Sequence, residues 1–514
     1  MNGDSTANSL GHYGTQGVFD SLNTPPALYE ACEWTDKNGN FWLFGGTTGF
    51  NDYGDLWEFN PSINQWAWIK GPGITNQPGI YGTQGISSPT NNPGCRAWGV
   101  PTWVDTSGNL WLFGGAGFDI NGGESNLNDL WEYNISANEW TWIKGSDTIN
   151  NPGVYGIIGI ENLLNHPGAR YETNATWTDN NNNLWLFGGK EINPLHGVFG
   201  DLWKYNITNN AWTWMNGTDT INQLAIYGTF RIPDTLNTPG GRACYSTWID
   251  KNGDLWLFAG SNLSSSQTKN DMWKYNIATK TWTWMSGTNL NLDTIGVNGN
   301  KCDSNINNVP KSRYENRARW TLNCDNFVTF GGTEDFFTSN DLWNYSVSTN
   351  EWTWIGGSVV NNQGGIYGSK TISSPINVPG SRFGSVSWKD IYGNLWMFGG
   401  NNSILFNDMW RFVPDTTCPV TSCILEGIKE NLINKSEIIV YPDPVSSISI
   451  LQIQSNLIGK VIINFYDILG QDVLNIESEN HTITINRKDF NAGMFFYRVS
   501  ICGEVLGSGK FVTE

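Results

Sequence analysis

Positive charge is what this chain is short of. Its 514 residues carry 29 Lys+Arg against 47 Asp+Glu, a formal charge of -18. Phosphate backbones and anionic bilayers reward positive patches, so neither nucleic acid nor an acidic membrane is an expected partner. Histidine is scarce too: His12, His166, His196 and His481 are the whole supply. No Cys/His spacing resembles a metal site, so neither a metal nor another cofactor is expected. Eight Cys in a chain of this length make neither a disulfide scaffold nor a zinc array. Cys302 with Cys324, and Cys418 with Cys423, either form disulfides, which suits an oxidising compartment, or remain thiols. No apolar run reaches the roughly 20 residues that a membrane-spanning helix needs. The opening MNGDSTANSLGHYG has neither the basic region nor the apolar core of a leader peptide.

Tryptophan is the opposite case. There are 28, and most recur at fixed places in a repeated phrase. NDLWEYN at 128–134, headed by Asp129, has counterparts headed by Asp55, Asp201, Asp271, Asp341 and Asp408. Such a period marks copies of one supersecondary unit. Each copy has four strand-like segments. The first follows an Arg, as in 170–178 and 242–249. The second is apolar and ends in paired glycines: Gly45 and Gly46, Gly114 and Gly115, Gly188 and Gly189, Gly331 and Gly332, Gly399 and Gly400. The third is the phrase above. The fourth is Trp-x-Trp, from Trp66 and Trp68 to Trp352 and Trp354.

Short, aromatic, β-branched segments between polar turns are strands. Trp-x-Trp puts both indoles on one face. The DKNGN turn at 36–40 and its counterparts read as hairpins whose Gly supplies positive φ. The paired glycines suit a tight exit beside a neighbouring backbone. Each Asp at the head of a third strand is expected to cap backbone amides. A calcium-binding ring of these carboxylates is the alternative, but it lacks the oxygen-rich loop that calcium needs.

Six copies of four antiparallel strands specify an all-β chain with a six-bladed β-propeller at 1–413, in which radial closure protects the strand edges. The double glycine, aromatic strand and Trp strand resemble kelch repeats, although each unit exceeds the roughly 50 residues of that repeat. The surplus lies between the fourth strand of one unit and the first of the next. These inserts hold Tyr81, Tyr155, Tyr227 and Tyr367, each followed by Gly. They leave on the side of the loops after the paired glycines. One face is thus long loops, the other tight hairpins, and function is expected on the loop side. The four tyrosines are candidate ligand platforms there. The alternative is that they pin each insert to the blade rim. The fifth unit departs: its insert lacks Tyr-Gly, and Val328 replaces the second-strand Trp.

The sixth unit has no Trp-x-Trp strand. Residues 1–15 align without a gap on 215–229, which directly follow Trp212-Thr213-Trp214. A first strand upstream of Met1 is therefore expected to close the sixth unit. A complete chain, closed by three strands or by part of 420–441, is the alternative.

The Trp repeat ends at 413. Residues 414–437 read as a linker and 438–514 as a small C-terminal β-sandwich, with strands at 448–453, 460–466, 481–485, 494–500 and 509–512. Tyr441, Pro442 and Pro444, then Gly470, then Gly493 in NAGMFFY, and the terminal Lys510-Phe511-Val512 resemble the type A C-terminal sorting domain of the type IX secretion system. That resemblance implies a Bacteroidetes-type cell, the type IX machinery as partner, and a product secreted or held on the outer surface.

Chemistry is harder to find. A kelch-like scaffold suggests a copper site resembling that of galactose oxidase, which needs two His, two Tyr and a Cys; four scattered His do not supply it. Arg96, Arg170, Arg242, Arg313 and Arg382 begin first strands. They either form a ring for a sugar acid or each pair with a carboxylate of the same repeat, and five-fold repetition favours the second. Glu30, Glu172 and Glu315 are inner-strand acids without the look of an acid/base pair. The expectation is a monomeric, non-enzymatic, extracellular propeller, with no catalytic residue, that binds a glycan or a surface protein. A structural matrix protein and a carbohydrate-active enzyme are the alternatives.

Overall fold

The computed structural model describes residues 1–3, 7–191, 197–262, 268–289, 295–322, 326–334, 337–414, 438–441, 444–453, 461–467, 471–478, 480, 482–501 and 504–513. The chain divides into two compact units, Met1–Thr421 and Ser422–Glu514. It is all-β; the one helical element among the described residues is a 3-10 turn, Arg487–Asp489.

Among the described residues the first unit holds six main antiparallel sheets in chain order, and two two-stranded ribbons, Lys190–Glu191 with Gly197–Val198 and Thr333–Glu334 with Phe337–Thr338. Sheet one pairs Cys32–Thr35, Phe41–Phe44, Leu56–Asn60 and Gln65–Lys70 in sequence. Sheets two to five keep this order, ending in Glu139–Lys144, Ala211–Asn216, Thr281–Ser286 and Glu351–Gly356, with the first strand of sheet two split into Arg96–Ala97 and Thr102–Val104. Sheet six has three strands, Val386–Lys389, Leu395–Phe398 and Met409–Phe412. Aromatic cross-strand pairs set the register, as in Trp34 opposite Trp42, and Trp57 opposite Trp68. Between sheets, rings stack: Phe41 lies 5.3 Å from Trp388 and Trp248 lies 5.2 Å from Phe327. Those buried rings are the core.

The sheets are linked in a circuit. In five glycine pairs and in Ala259-Gly260 the first residue turns left-handed, and the second donates its N–H to a residue at the start of the next sheet. Gly46 donates to Arg96 O, Gly115 to Arg170 O, Gly189 to Arg242 O, Gly260 to Arg313 O, Gly332 to Arg382 O, and Gly400 back to Leu28 O. A Cβ on Gly45 would meet Arg96 O at 2.4 Å, so this junction excludes a side chain. No sheet closes on itself.

First strands are shorter than the sequence suggests. Residues 170–178 read as one strand, but only Trp177–Thr178 is a strand and Tyr171 makes an isolated bridge to Lys190, because Glu172 between them sits at φ 57° and turns the backbone. Each insert runs along the outer strand of the sheet that it precedes. Asp20 bridges Trp66, Ser88 bridges Trp140, Asn162 bridges Trp212, Asp234 bridges Trp282 and Asn305 bridges Trp352. Beside sheet six, Met409 N–H donates to Asn2 O, the place that Asn216 takes opposite Leu202.

In the second unit, Ile438–Tyr441, Ile448–Ile453 and Thr482–Asn486 form one sheet; Asp472–Ser478, Val461–Tyr466, Gly493–Ile501 and Glu504–Thr513 form another. Leu451 and Ile485 from the first, and Ile463, Phe465, Val499 and Phe511 from the second, share one apolar core.

Candidate functional site

The repeated polar residues meet within their own sheets. Arg96 binds Asp129 through both guanidinium nitrogens, and Arg170–Asp201, Arg242–Asp271, Arg313–Asp341 and Arg382–Asp408 repeat the fork at closest approaches of 2.5–2.8 Å. These pairs are buried, so the five arginines present no fork to a ligand. The indole two residues after each Asp donates to the same carboxylate, as Trp131 does to Asp129 at 2.7 Å. The insert tyrosines complete the clamp. Tyr81 donates its hydroxyl to Asp129, Tyr155 to Asp201, Tyr227 to Asp271 and Tyr367 to Asp408, at 2.7–2.8 Å. Tyr81 is 1% exposed; the other three are half-buried. In sheet one, Leu28 stands in the Arg position, and Tyr13 donates to Asp55.

Inside the sheets lies a second repeated position with a different character. Glu30, Trp98, Glu172, Cys244, Glu315 and Gly384 all adopt left-handed φ, 56–65°. Their backbones bond in order: Glu30 N–H to Gly384 O, Gly384 to Glu315 O, Glu315 to Cys244 O, Cys244 to Glu172 O and Glu172 to Trp98 O. Gly99 N–H donates to Glu30 Oε2 at 3.0 Å and completes the ring. Five of the six carry a Cβ that this conformation penalises by about 1–2 kcal/mol each.

The ring brings together acids that are distant in sequence. Cys244 Sγ donates to Glu172 Oε2 at 2.8 Å, and one ligand atom each from Glu172, Cys244 and Glu315 lies within 4.8 Å of the others. Burial, then the neighbouring Glu172 and Glu30, push the Glu315 carboxyl well up. Burial, then Glu172 and Glu315, push the Cys244 thiol well up, which makes it a poor nucleophile. Cys244 pushes Lys190 up, burial opposes it, and Glu172 and Glu315 add to the rise; its Nζ lies 6.0 Å from the Tyr171 ring centre.

Arginines brace the space beside the ring. Arg317 binds Glu30 at 2.7 Å and Glu33 at 3.1 Å. Arg319 reaches from sheet five to sheet three, donating to Asn174 O and Thr176 Oγ1 at 3.2 and 3.1 Å. Beyond them, toward the hairpin ends of the first strands, is a cavity of about 410 Å³. Glu33, Thr102, Thr176, Thr247, Arg319 and Ser387 are among its walls. Trp34, Trp103, Trp177, Trp248, Trp320 and Trp388 line it as well.

Cys244, Lys190, Arg317 and Arg319 are absent from the sequence-based candidates. Each departs from the repeat at an aligned inner position, and that departure was the available signal. His196, His481, Cys324, Cys418 and Cys423 lie outside the described residues, as do Pro442 and Gly470. Cys302 is disulfide-bonded, while Cys32, Cys95 and Cys244 are buried free thiols. In the second unit Tyr441, Pro444 and Lys510 are exposed, and Gly493 opens the strand that pairs with Glu504–Thr513.

Residues 439–513 match the secretion system C-terminal sorting domain family. This domain indicates export through the type IX secretion system, with the protein secreted or attached at the cell surface. No curated protein matches the chain. No helix among the described residues is long and apolar enough to cross a membrane.

Proposed function

We propose that residues 1–413 form a six-bladed, kelch-like propeller that works outside the cell as a non-enzymatic protein-binding module. In this reading residues 438–514 are a small β-sandwich that directs export, and 414–437 link the two. The circuit of backbone bonds among the six sheets supports the propeller. The binding role rests on one observation: aliphatic side chains left exposed at repeated positions on the inserts. Ile80, Val154, Ile226, Val297 and Ile366, at one position, are 43–52% exposed. Val18, Ile86, Ile160, Ile232 and Ile372, at a second, are 49–63% exposed. Scattered exposed Ile is ordinary; a set renewed in insert after insert is the apolar surface that a protein partner covers. The tyrosines act as pins in this reading, since their hydroxyls are engaged by the clamp carboxylates.

The test is binding of the full chain to arrays of extracellular proteins and glycans, alongside a variant carrying I226S, I232S, I366S and I372S. Saturable protein capture that falls at least about tenfold in the variant, with an unchanged melting temperature, is expected, since loss of apolar interface contacts costs more than 1 kcal/mol. Glycan binding indifferent to these substitutions overturns the reading. Self-association removed by them would shift the assignment to a structural matrix protein.

A further inference from the structure

We propose that Glu172, Cys244 and Glu315 form a binding site for a divalent metal of zinc type at the centre of the first unit. The three come from the approaches to sheets three, four and five, and each is aimed by the same left-handed backbone, locked by N–H to O bonds along the ring. A zinc ion about 2.0–2.3 Å from each donor draws its ligands to roughly 3.5 Å apart. Here Sγ of Cys244 and Oε2 of Glu172 are already 2.8 Å apart, and the whole set lies within 4.8 Å. Metal binding in this proposal opens the Cys244–Glu172 pair slightly and draws Glu315 in.

A separate observation concerns the neighbouring acid. Glu30, which is 0% exposed and not one of the three, has no donor for Oε1 while Glu315 is ionised. It faces Glu315, and a proton on Glu315 bridges the two carboxyls when no metal is there. Buried carboxylate oxygens rarely go unpaired. A cation bound by Glu315 displaces that proton and takes its place beside Glu30.

The donor set selects the metal. Calcium asks for six to eight oxygens and magnesium for an octahedron rich in water, whereas one thiolate with two carboxylates matches the mixed ligands of zinc. Charge agrees. Thiolate and two carboxylates carry three negative charges, Lys190 one positive, and a divalent ion restores neutrality. Glu30 and Glu33 are balanced separately by Arg317 and Arg319. Tyr171, Tyr314 and Lys190 are half-buried.

The test uses the full chain stripped by chelator and reloaded with zinc or cobalt(II). One equivalent of metal retained through gel filtration, a thiolate-to-cobalt charge-transfer band, and a melting temperature raised by zinc are expected. C244S should abolish the band, and both C244S and E315Q should weaken zinc binding about tenfold or more, in line with losses at tuned metal sites. E315Q keeps the shape of the site if C244S does not fold. Cobalt bound without the charge-transfer band, zinc binding unchanged in E315Q, or no retained metal would each overturn the proposal.

Discussion

The clamps and the inner ring repeat the same backbone around the first unit, yet they treat their side chains in opposite ways. At the clamps Arg, Asp and Trp recur almost without variation, and in five of the six copies each Asp is answered by its own Arg. At the ring the φ values agree within a few degrees, while the residues are Glu, Trp, Glu, Cys, Glu and Gly. Repetition of chemistry marks what holds the sheets; repetition of backbone with changing chemistry marks where an individual site can form. Function seldom needs five copies, and stability does.

The comparison breaks first at a clamp. R170M leaves Asp201 buried with its Tyr and Trp donors but no counter-charge. A stability loss of about 3–5 kcal/mol is expected in denaturant melts, because removing one partner of a buried pair strands the other. A loss below about 1 kcal/mol would show that the clamp is ornament, since surface-type pairs are worth no more than that.

Sheet one sharpens the contrast, because it carries the Asp without the Arg. At Asp271 burial pushes the carboxyl up, but Arg242, through its charge and its hydrogen bonds, and then Trp273 more than offset it and hold it below the ordinary 3.8. At Asp55 burial pushes up likewise, the amide of Gly73 and the hydroxyl of Tyr13 only partly compensate, and the carboxyl stays above 3.8. The signs follow. Asp271 contributes stability that is present above the ordinary value and lost as pH falls through its lowered folded value. Asp55 is at its best below the ordinary value and costs stability as pH rises through its raised folded value. D271N should therefore lose more against the wild type as pH rises, reaching about 3–5 kcal/mol at neutral pH because Arg242 is left unpaired. D55N should lose less as pH rises, staying within about 1–2 kcal/mol, the range for a buried hydrogen bond. Parallel pH slopes for the two variants, measured by urea melts from acid to neutral pH, would refute the distinction.

What could be read from the sequence follows the same division. Second strands were legible because an apolar run ending in paired glycines has few other uses; Phe41–Phe44 sits inside its phrase. First strands were not, because a left-handed Glu172 or Cys244 gives no sign of itself, whereas Gly384 at the same position does. In the second unit Asp472–Ser478 went unread: DVLNIES alternates only weakly, and it becomes a strand by pairing with Val461–Tyr466. The clamp residues were visible as repeated letters. Cys244 and Lys190 were single letters in different units, and only the circuit of sheets brings them to one place.

The smallest effect lies in two gaps in a third repeated contact. Tyr133, Tyr205 and Tyr345 each donate a hydroxyl to the Asn five residues on, Asn138, Asn210 and Asn350. Each Asn also supplies the left-handed turn between the third and fourth strands. In sheet four the Asn is replaced by Lys280, at φ 58°, and the hydroxyl of Tyr275 is buried without a partner. In sheet one the Tyr is replaced by Phe59, and Oδ1 of Asn64 is the buried atom without a partner. One repeat lacks the acceptor and the other the donor. K280N supplies the acceptor and a residue more tolerant of positive φ; F59Y supplies the donor. Each should raise stability by about 1 kcal/mol, the net worth of satisfying one buried polar group. The two sites lie in separate sheets, so the gains should add to within about 0.5 kcal/mol in the double variant. A gain from F59Y that disappears in F59Y/N64A, and is absent from F59L, would assign it to the hydrogen bond rather than to packing.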